Sequence, residues 1–187
     1  MIDYFKMPNP VKISQRSSTI TNSFVNAIGF IRKPSEEEIL SALKKLDLKK
    51  DKMECIYCGG EYSEWDHLRP LVENGKPTGY ITEIQNLVPA CGKCNQSKGN
   101  KYWKDWINSD AKQSPKSKNI SDLTRRIEKL VEYENWKKPT KINYELIVGK
   151  ELWEQHWNNL SQIRKLMETS QNLAKSMKEI IDKNMIE

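Results

Sequence analysis

Four cysteines confine what this chain can become. They come in two pairs, Cys55-Ile56-Tyr57-Cys58 and Cys91-Gly92-Lys93-Cys94, and the 187-residue sequence has no others. Two disulfides would suit a secreted chain. Met1 to Lys6 lack the pattern of a secretory leader, so a cytoplasmic, reducing location is expected, where paired cysteines more often hold a metal. A C-x-x-C pair brings two thiolates close enough to share one ion, and two pairs complete a tetrahedral four-sulfur site, the geometry of structural Zn²⁺. Such a site is closed and leaves no position for water. Its expected task is to pin a small fold rather than to catalyse. Gly59, Gly60 and Gly92 lie in or beside the pairs and let the backbone curl around a metal.

The rest of the chain is consistent with modest cores. Hydrophobic residues make up 37% and charged residues 30%, and no apolar run nears the roughly 20 residues a bilayer span needs, so no membrane partner is expected. A net charge of +6 favours a polyanionic partner. Residues 1–51 read as an N-terminal segment with one helix: Pro34-Ser35-Glu36-Glu37-Glu38 has the form of a capping box, and Ile39, Leu40, Leu43 and Leu46 line one face. The polar stretch before that helix is either a lead-in or a DNA-contacting arm using Lys12, Arg16, Arg32 and Lys33. Residues 52–108 carry the chemistry, and 109–118 read as a surface linker. Residues 119–187 read as helical, and as a region of dimer formation. One helix begins near Ser121 with Leu123, Ile127, Leu130 and Val131 on a stripe, and a long one begins near Glu151. Leu160, Ile163, Met167, Ser170, Ala174, Met177 and Ile181 give that last helix a heptad-like seam, to pack either on the 35–47 helix or on a second copy.

Between the cysteine pairs stand Asp66-His67, then Asn86-Leu87-Val88-Pro89; Asn95 and Lys98-Gly99 follow the second pair. A helix is expected to open at Cys94 and run through Tyr102, Trp103 and Trp106. The order C-x-x-C, Asp-His, Asn-Leu-Val-Pro, C-x-x-C-Asn, Lys-Gly resembles the HNH nucleases, the ββα-metal class, over Met53 to Lys101. The resemblance implies an α+β fold in which a small zinc-stapled ββα core sits within mostly helical flanks. It implies that His67 is the general base, since a neutral imidazole accepts a proton from water near pH 7. Asp66 and Asn95 would hold a catalytic Mg²⁺ or Mn²⁺ through oxygen. Some family members carry His at the place of Asn95; asparagine favours the oxygen-ligated ions. Asn86 would brace the loop facing His67 and fix the ring. Lys98, Lys101 and Arg69 would touch substrate phosphate, although solvated lysines are the plainer reading. Trp65, Tyr102, Trp103 and Trp106 are expected in the core, and His156 is expected to be structural or exposed.

The reaction implied is hydrolysis of a DNA phosphodiester to a 5′-phosphate and a 3′-hydroxyl. One such site cuts one strand, so a two-strand cut calls for two copies. The expected role is a restriction endonuclease acting on double-stranded DNA as a homodimer, with a cognate DNA methyltransferase as a further partner. The rival readings are a phage or mobile-element HNH nicking nuclease and a catalytically dead, zinc-stabilised nucleic-acid-binding module.

Overall fold

The computed structural model describes residues 7–185; Met1 to Lys6, read above for a leader, lie outside the described residues. The chain divides into two compact units, one of residues 27–143 and one of residues 1–26 with 144–187.

In the larger unit, α2 (Glu36–Lys45) begins as its sequence requires. Ser35 accepts from the Glu38 backbone N–H at 3.2 Å, and Glu38 Oε2 accepts from the Ser35 N–H at 2.9 Å. Ala42, Leu43 and Leu46 are buried and Ile39 packs against them, but Leu40 is 47% exposed and does not belong to the inward face. Strand β1 (Glu64–His67) pairs antiparallel with β4 (Leu87–Ala90), with Asp66 opposite Val88 and His67 opposite Leu87. Helix α3 (Gly92–Lys98) follows β4 directly. These three elements are the ββα core, and the flanking segments are mostly helical as expected.

The excursion between β1 and β4 folds a small hairpin of its own, β2 (Val72–Glu73) with β3 (Lys76–Pro77). Its turn, Asn74-Gly75, has positive φ at both residues (51° and 74°), the twist-matched geometry of a two-residue hairpin.

The helix expected from Cys94 through Trp106 is two helices. Gly99 adopts φ 52°, ψ −131°, a conformation outside the reach of residues with a Cβ; it ends α3, and α4 (Trp103–Ile107) starts afresh. The break turns Trp103 and Trp106 inward, where both are fully buried. With Tyr57, Leu130 and Tyr133 they form the centre of the core, to which α5 (Leu123–Trp136) contributes one face. Residues 109–118 form a string of turns in which Ser114 is buried and bonds the Ser109 carbonyl at 2.6 Å.

In the smaller unit, a 3-10 turn (Ile13–Arg16) leads into α1 (Ser17–Ala27), and α6 (Tyr144–Val148) turns at Gly149 into α7 (Lys150–Met185). The long helix has found a partner the sequence did not suggest: the N-terminal stretch. The Ile13 N–H donates to Gln171 Oε1 at 2.7 Å, Arg164 donates to the Thr21 hydroxyl, and His156 stacks on Phe24 at 4.9 Å with Nε2 3.1 Å from the Phe24 carbonyl. His156 is therefore structural. Trp157 and Leu160 are buried on this face, whereas Leu166, Leu173, Met177 and Ile180 are exposed. No described helix is long and apolar enough to cross a membrane.

Candidate active site

The four cysteine sulfurs lie within 4.8 Å of one another, none in a disulfide. The first pair sits in a tight turn, with the Gly59 N–H on the Cys55 carbonyl and the Cys55 N–H on the Gly60 carbonyl, each at 2.8 Å. The second pair joins the end of β4 to the first turn of α3. Four sulfurs this close cannot all ionise without a cation. The Cys55 thiol is pushed up to about 12, first by its hydrogen bond with Cys58. A soft-ligand metal ion would relieve that conflict, and the donor set fits one. Arg126 of α5 holds the first turn from outside, donating to the Cys55 and Ile56 carbonyls at 3.2 Å each and to Glu54 at 3.1 Å.

Strand β1 delivers Asp66 and His67 side by side, and their surroundings differ sharply. Asp66 is buried; its Oδ1 lies 3.1 Å from Lys98 Nζ and its Oδ2 accepts from the Tyr57 hydroxyl at 2.6 Å. Burial pushes Asp66 up and Lys98 down, each held back by the other's charge. His67 is half-buried, with Nε2 2.9 Å from the Thr82 hydroxyl. Burial first, then the Lys98 charge, lowers it to about 4, so the ring is neutral at physiological pH.

Helix α3 runs along β1 in register. Asn95 Nδ2 donates to Glu64 Oε1 at 3.0 Å, and three residues on, Lys98 meets Asp66, two residues beyond Glu64. Asn95 and Lys98 share one helix face, and Glu64 and Asp66 share one strand face. Lys98 is thus interior, 1% exposed, and its nearest anion is Asp66. Lys101 is exposed beyond Gly99, with Nζ 3.4 Å from the Ser97 carbonyl.

Asn86 is fully buried and clasps the loop after β1: its Oδ1 accepts from the Arg69 N–H at 2.9 Å and its Nδ2 donates to the Arg69 carbonyl at 3.1 Å. The ring of His67 is held by Thr82 instead. The Arg69 side chain pairs with the buried Glu134 at 3.0 Å, where Lys104 and the Tyr102 hydroxyl also converge at 2.8 and 2.6 Å. Of the basic residues that might have formed an arm, Arg32 is engaged with Glu38, Glu83 and Gln85, while Lys12 and Arg16 are exposed.

Tyr57, Glu64 and Thr82 were not singled out from the sequence. Glu64 was within reach of it, because it stands two residues from Asp66 on one strand. Tyr57 and Thr82 depend on tertiary packing. Glu64 and Asn95 are in direct contact, whereas both oxygens of the buried Asp66 are taken by Lys98 and Tyr57.

Residues 55–101 match a family described as HNH endonuclease. The chain is also similar to "CRISPR-associated endonuclease Cas9" of Corynebacterium diphtheriae, 30% identical over 82 residues, which are 42% of this chain. It spans only 7% of that relative's length. No solved structure matches the chain.

Proposed function

We propose, from the match of residues 55–101 to the HNH endonuclease family, that this chain is a metal-dependent DNA endonuclease with His67 as general base. The observation that carries the reading is the state of His67. The ring is neutral, its Nε2 is occupied by Thr82, and it sits at the end of β1 beside a buried carboxylate. With Nε2–H donating to the Thr82 hydroxyl, Nδ1 keeps its lone pair and is the nitrogen that takes the proton from an attacking water. Asp66 and Asn95 would hold Mg²⁺ or Mn²⁺ through oxygen, with Glu64 beside Asn95. When bound, such an ion supplies positive charge for the phosphorane and the leaving 3′ oxygen. Tyr57 and Lys98 orient Asp66 through one oxygen each. Asn86 fixes the loop that carries Arg69 past the site. The cysteine cluster would hold Zn²⁺, a closed site apart from the chemistry. The products are a 5′-phosphate and a 3′-hydroxyl.

One site per chain cuts one strand. A sequence-specific restriction enzyme cutting both strands needs two copies, with a DNA methyltransferase to protect its own sites. The exposed stripe Leu166, Leu173, Met177 and Ile180 on α7 supports pairing with a second copy.

Cleavage of phage DNA by wild type and by His67→Ala, each with and without Mg²⁺, tests the reading. Discrete fragments from wild type with Mg²⁺ only are expected. Equal cutting by His67→Ala, or intact DNA bound by wild type under both Mg²⁺ and Mn²⁺, would replace this reading with a binding module.

A further inference from the structure

The ordered surroundings of His67 extend beyond the segment that matches the family. His67 faces Thr82; two residues further on in one direction and two back in the other, Arg69 faces Tyr80, its guanidinium carbon 5.7 Å from the ring centre. A second cation shares that ring. Lys141 Nζ lies 5.2 Å from the centre of Tyr80.

Lys141 ends a basic stretch, Lys137-Lys138-Pro139-Thr140-Lys141, with no regular secondary structure over Pro139 and Thr140. A solvated loop of this composition would ordinarily be loose, yet this one is pinned. The Thr140 N–H and hydroxyl donate to the buried Glu83 carboxylate at 2.5 and 3.2 Å. Arg32 holds the same carboxylate at 3.1 Å. The Ile142 N–H donates to the Gly79 carbonyl at 2.9 Å, and Tyr80 and Lys141 form an antiparallel bridge. Gly79 permits this approach: a Cβ there would stand 2.6 Å from the Ile142 carbonyl oxygen.

Lys137, Lys138 and Lys141 are exposed, and among the described residues no carboxylate forms an ion pair with Lys141. Arg69 backs the Tyr80 ring from inside: its Nη1 is buried and its Nη2 is held by Glu134 at 3.0 Å. An exposed lysine seated on an aromatic ring, on a backbone already ordered, meets phosphate without a further ordering cost.

We propose that Lys141, seated on the Tyr80 ring that Arg69 backs, makes a phosphate-contacting surface for duplex DNA beside the scissile bond, with the pinned 137–141 segment as its outer edge. The proposal rests on the nuclease reading above, but its test does not depend on turnover. Binding of a fluorescent DNA duplex to His67→Ala protein, which leaves the duplex whole, is followed by anisotropy across a salt series. Lys141→Gln is compared with Lys178→Gln, an exposed lysine on α7 paired with Asp182. Both changes are at the surface, and circular dichroism checks that both variants fold.

Each phosphate contact contributes about 0.9 to the slope of log affinity against log salt. Lys141→Gln is expected to reduce that slope by about one and to weaken binding several-fold at low salt, with Lys178→Gln unchanged. An unaltered slope in Lys141→Gln, an equal loss in Lys178→Gln, or no duplex binding by the parent overturns the surface. Wild-type cleavage of the same duplex with Mg²⁺ is scored separately. Cleavage with an unaltered Lys141 slope sinks the surface alone, and Lys141-dependent binding without cleavage sinks the nuclease reading alone.

Discussion

Thr82 brings a single hydroxyl to the ring of His67. It is presented by a short parallel bridge to Ile31, with its N–H on the Phe30 carbonyl and its carbonyl on the Arg32 N–H, so its side chain has little freedom to leave His67. Thr82→Val keeps the shape and removes the hydrogen bond, and is expected to lower the cleavage rate about tenfold or more with KM and melting temperature little changed. Thr82→Ser restores the hydroxyl and should restore most of the rate. A Thr82→Val protein as active as wild type would remove Thr82 from the positioning of the base. At this scale the cysteines were legible: Cys55, Cys58, Cys91 and Cys94 announce their cluster by spacing alone, and Asp66-His67 stand between the pairs on one strand. Lys98 was not legible as an interior residue. Along the sequence it is a lysine near a helix end, and only the register of α3 on β1 brings it to Asp66.

Among the elements, α5 carries the ties that the sequence shows least. Its apolar stripe was readable, but two of its polar residues are buried attachments. Arg126 holds the first cysteine turn, so closely that a Cβ on Gly59 would stand 2.5 Å from its guanidinium. Glu134 gathers Arg69, Lys104, Tyr102 and the indole of Trp103. Burial pushes the Glu134 carboxyl up, but Lys104, Tyr102 and Arg69 together outweigh it and hold it below its ordinary 4.5. The stabilisation is therefore full above pH 4.5 and is lost as the pH falls through the depressed folded value. Urea midpoints measured from pH 7 to pH 3 should fall steeply below about pH 4.5 in wild type and less steeply in Glu134→Gln. Parallel curves for the two proteins would show that Glu134 is not among the groups that acid releases. The division of the expected 94–106 helix at Gly99 belongs here too. A glycine within a helical pattern reads equally as tolerated or as a stop, and the demand to bury both Trp103 and Trp106 decides for the stop.

At the scale of the whole molecule, the long helix carries an exposed apolar stripe that the heptad reading did not draw, since Leu166, Leu173 and Ile180 lie outside that seam. Trp157, Leu160, Arg164 and Gln171 serve the N-terminal stretch, leaving Leu166, Leu173, Met177 and Ile180 exposed. Periodicity announces an apolar helix but does not say which chain covers it. If the exposed stripe joins two copies, light scattering gives about twice the 21.9 kDa chain mass. The double change Leu173→Glu with Ile180→Glu should then give monomers whose plasmid product shifts from linear to open circular. A monomeric wild type that still yields linear plasmid in one binding event would rule out pairing through α7. The placement of the cysteine pairs has a different kind of consequence. They stand just before β1 and just after β4, so one ion would join the two ends of everything between them. Closure is then settled by the metal rather than by the length of what is enclosed, and the entropy of a longer excursion grows only as the logarithm of its length. The β2–β3 hairpin can therefore lengthen, shorten or be exchanged at little energetic penalty while β1, β4 and α3 keep their register.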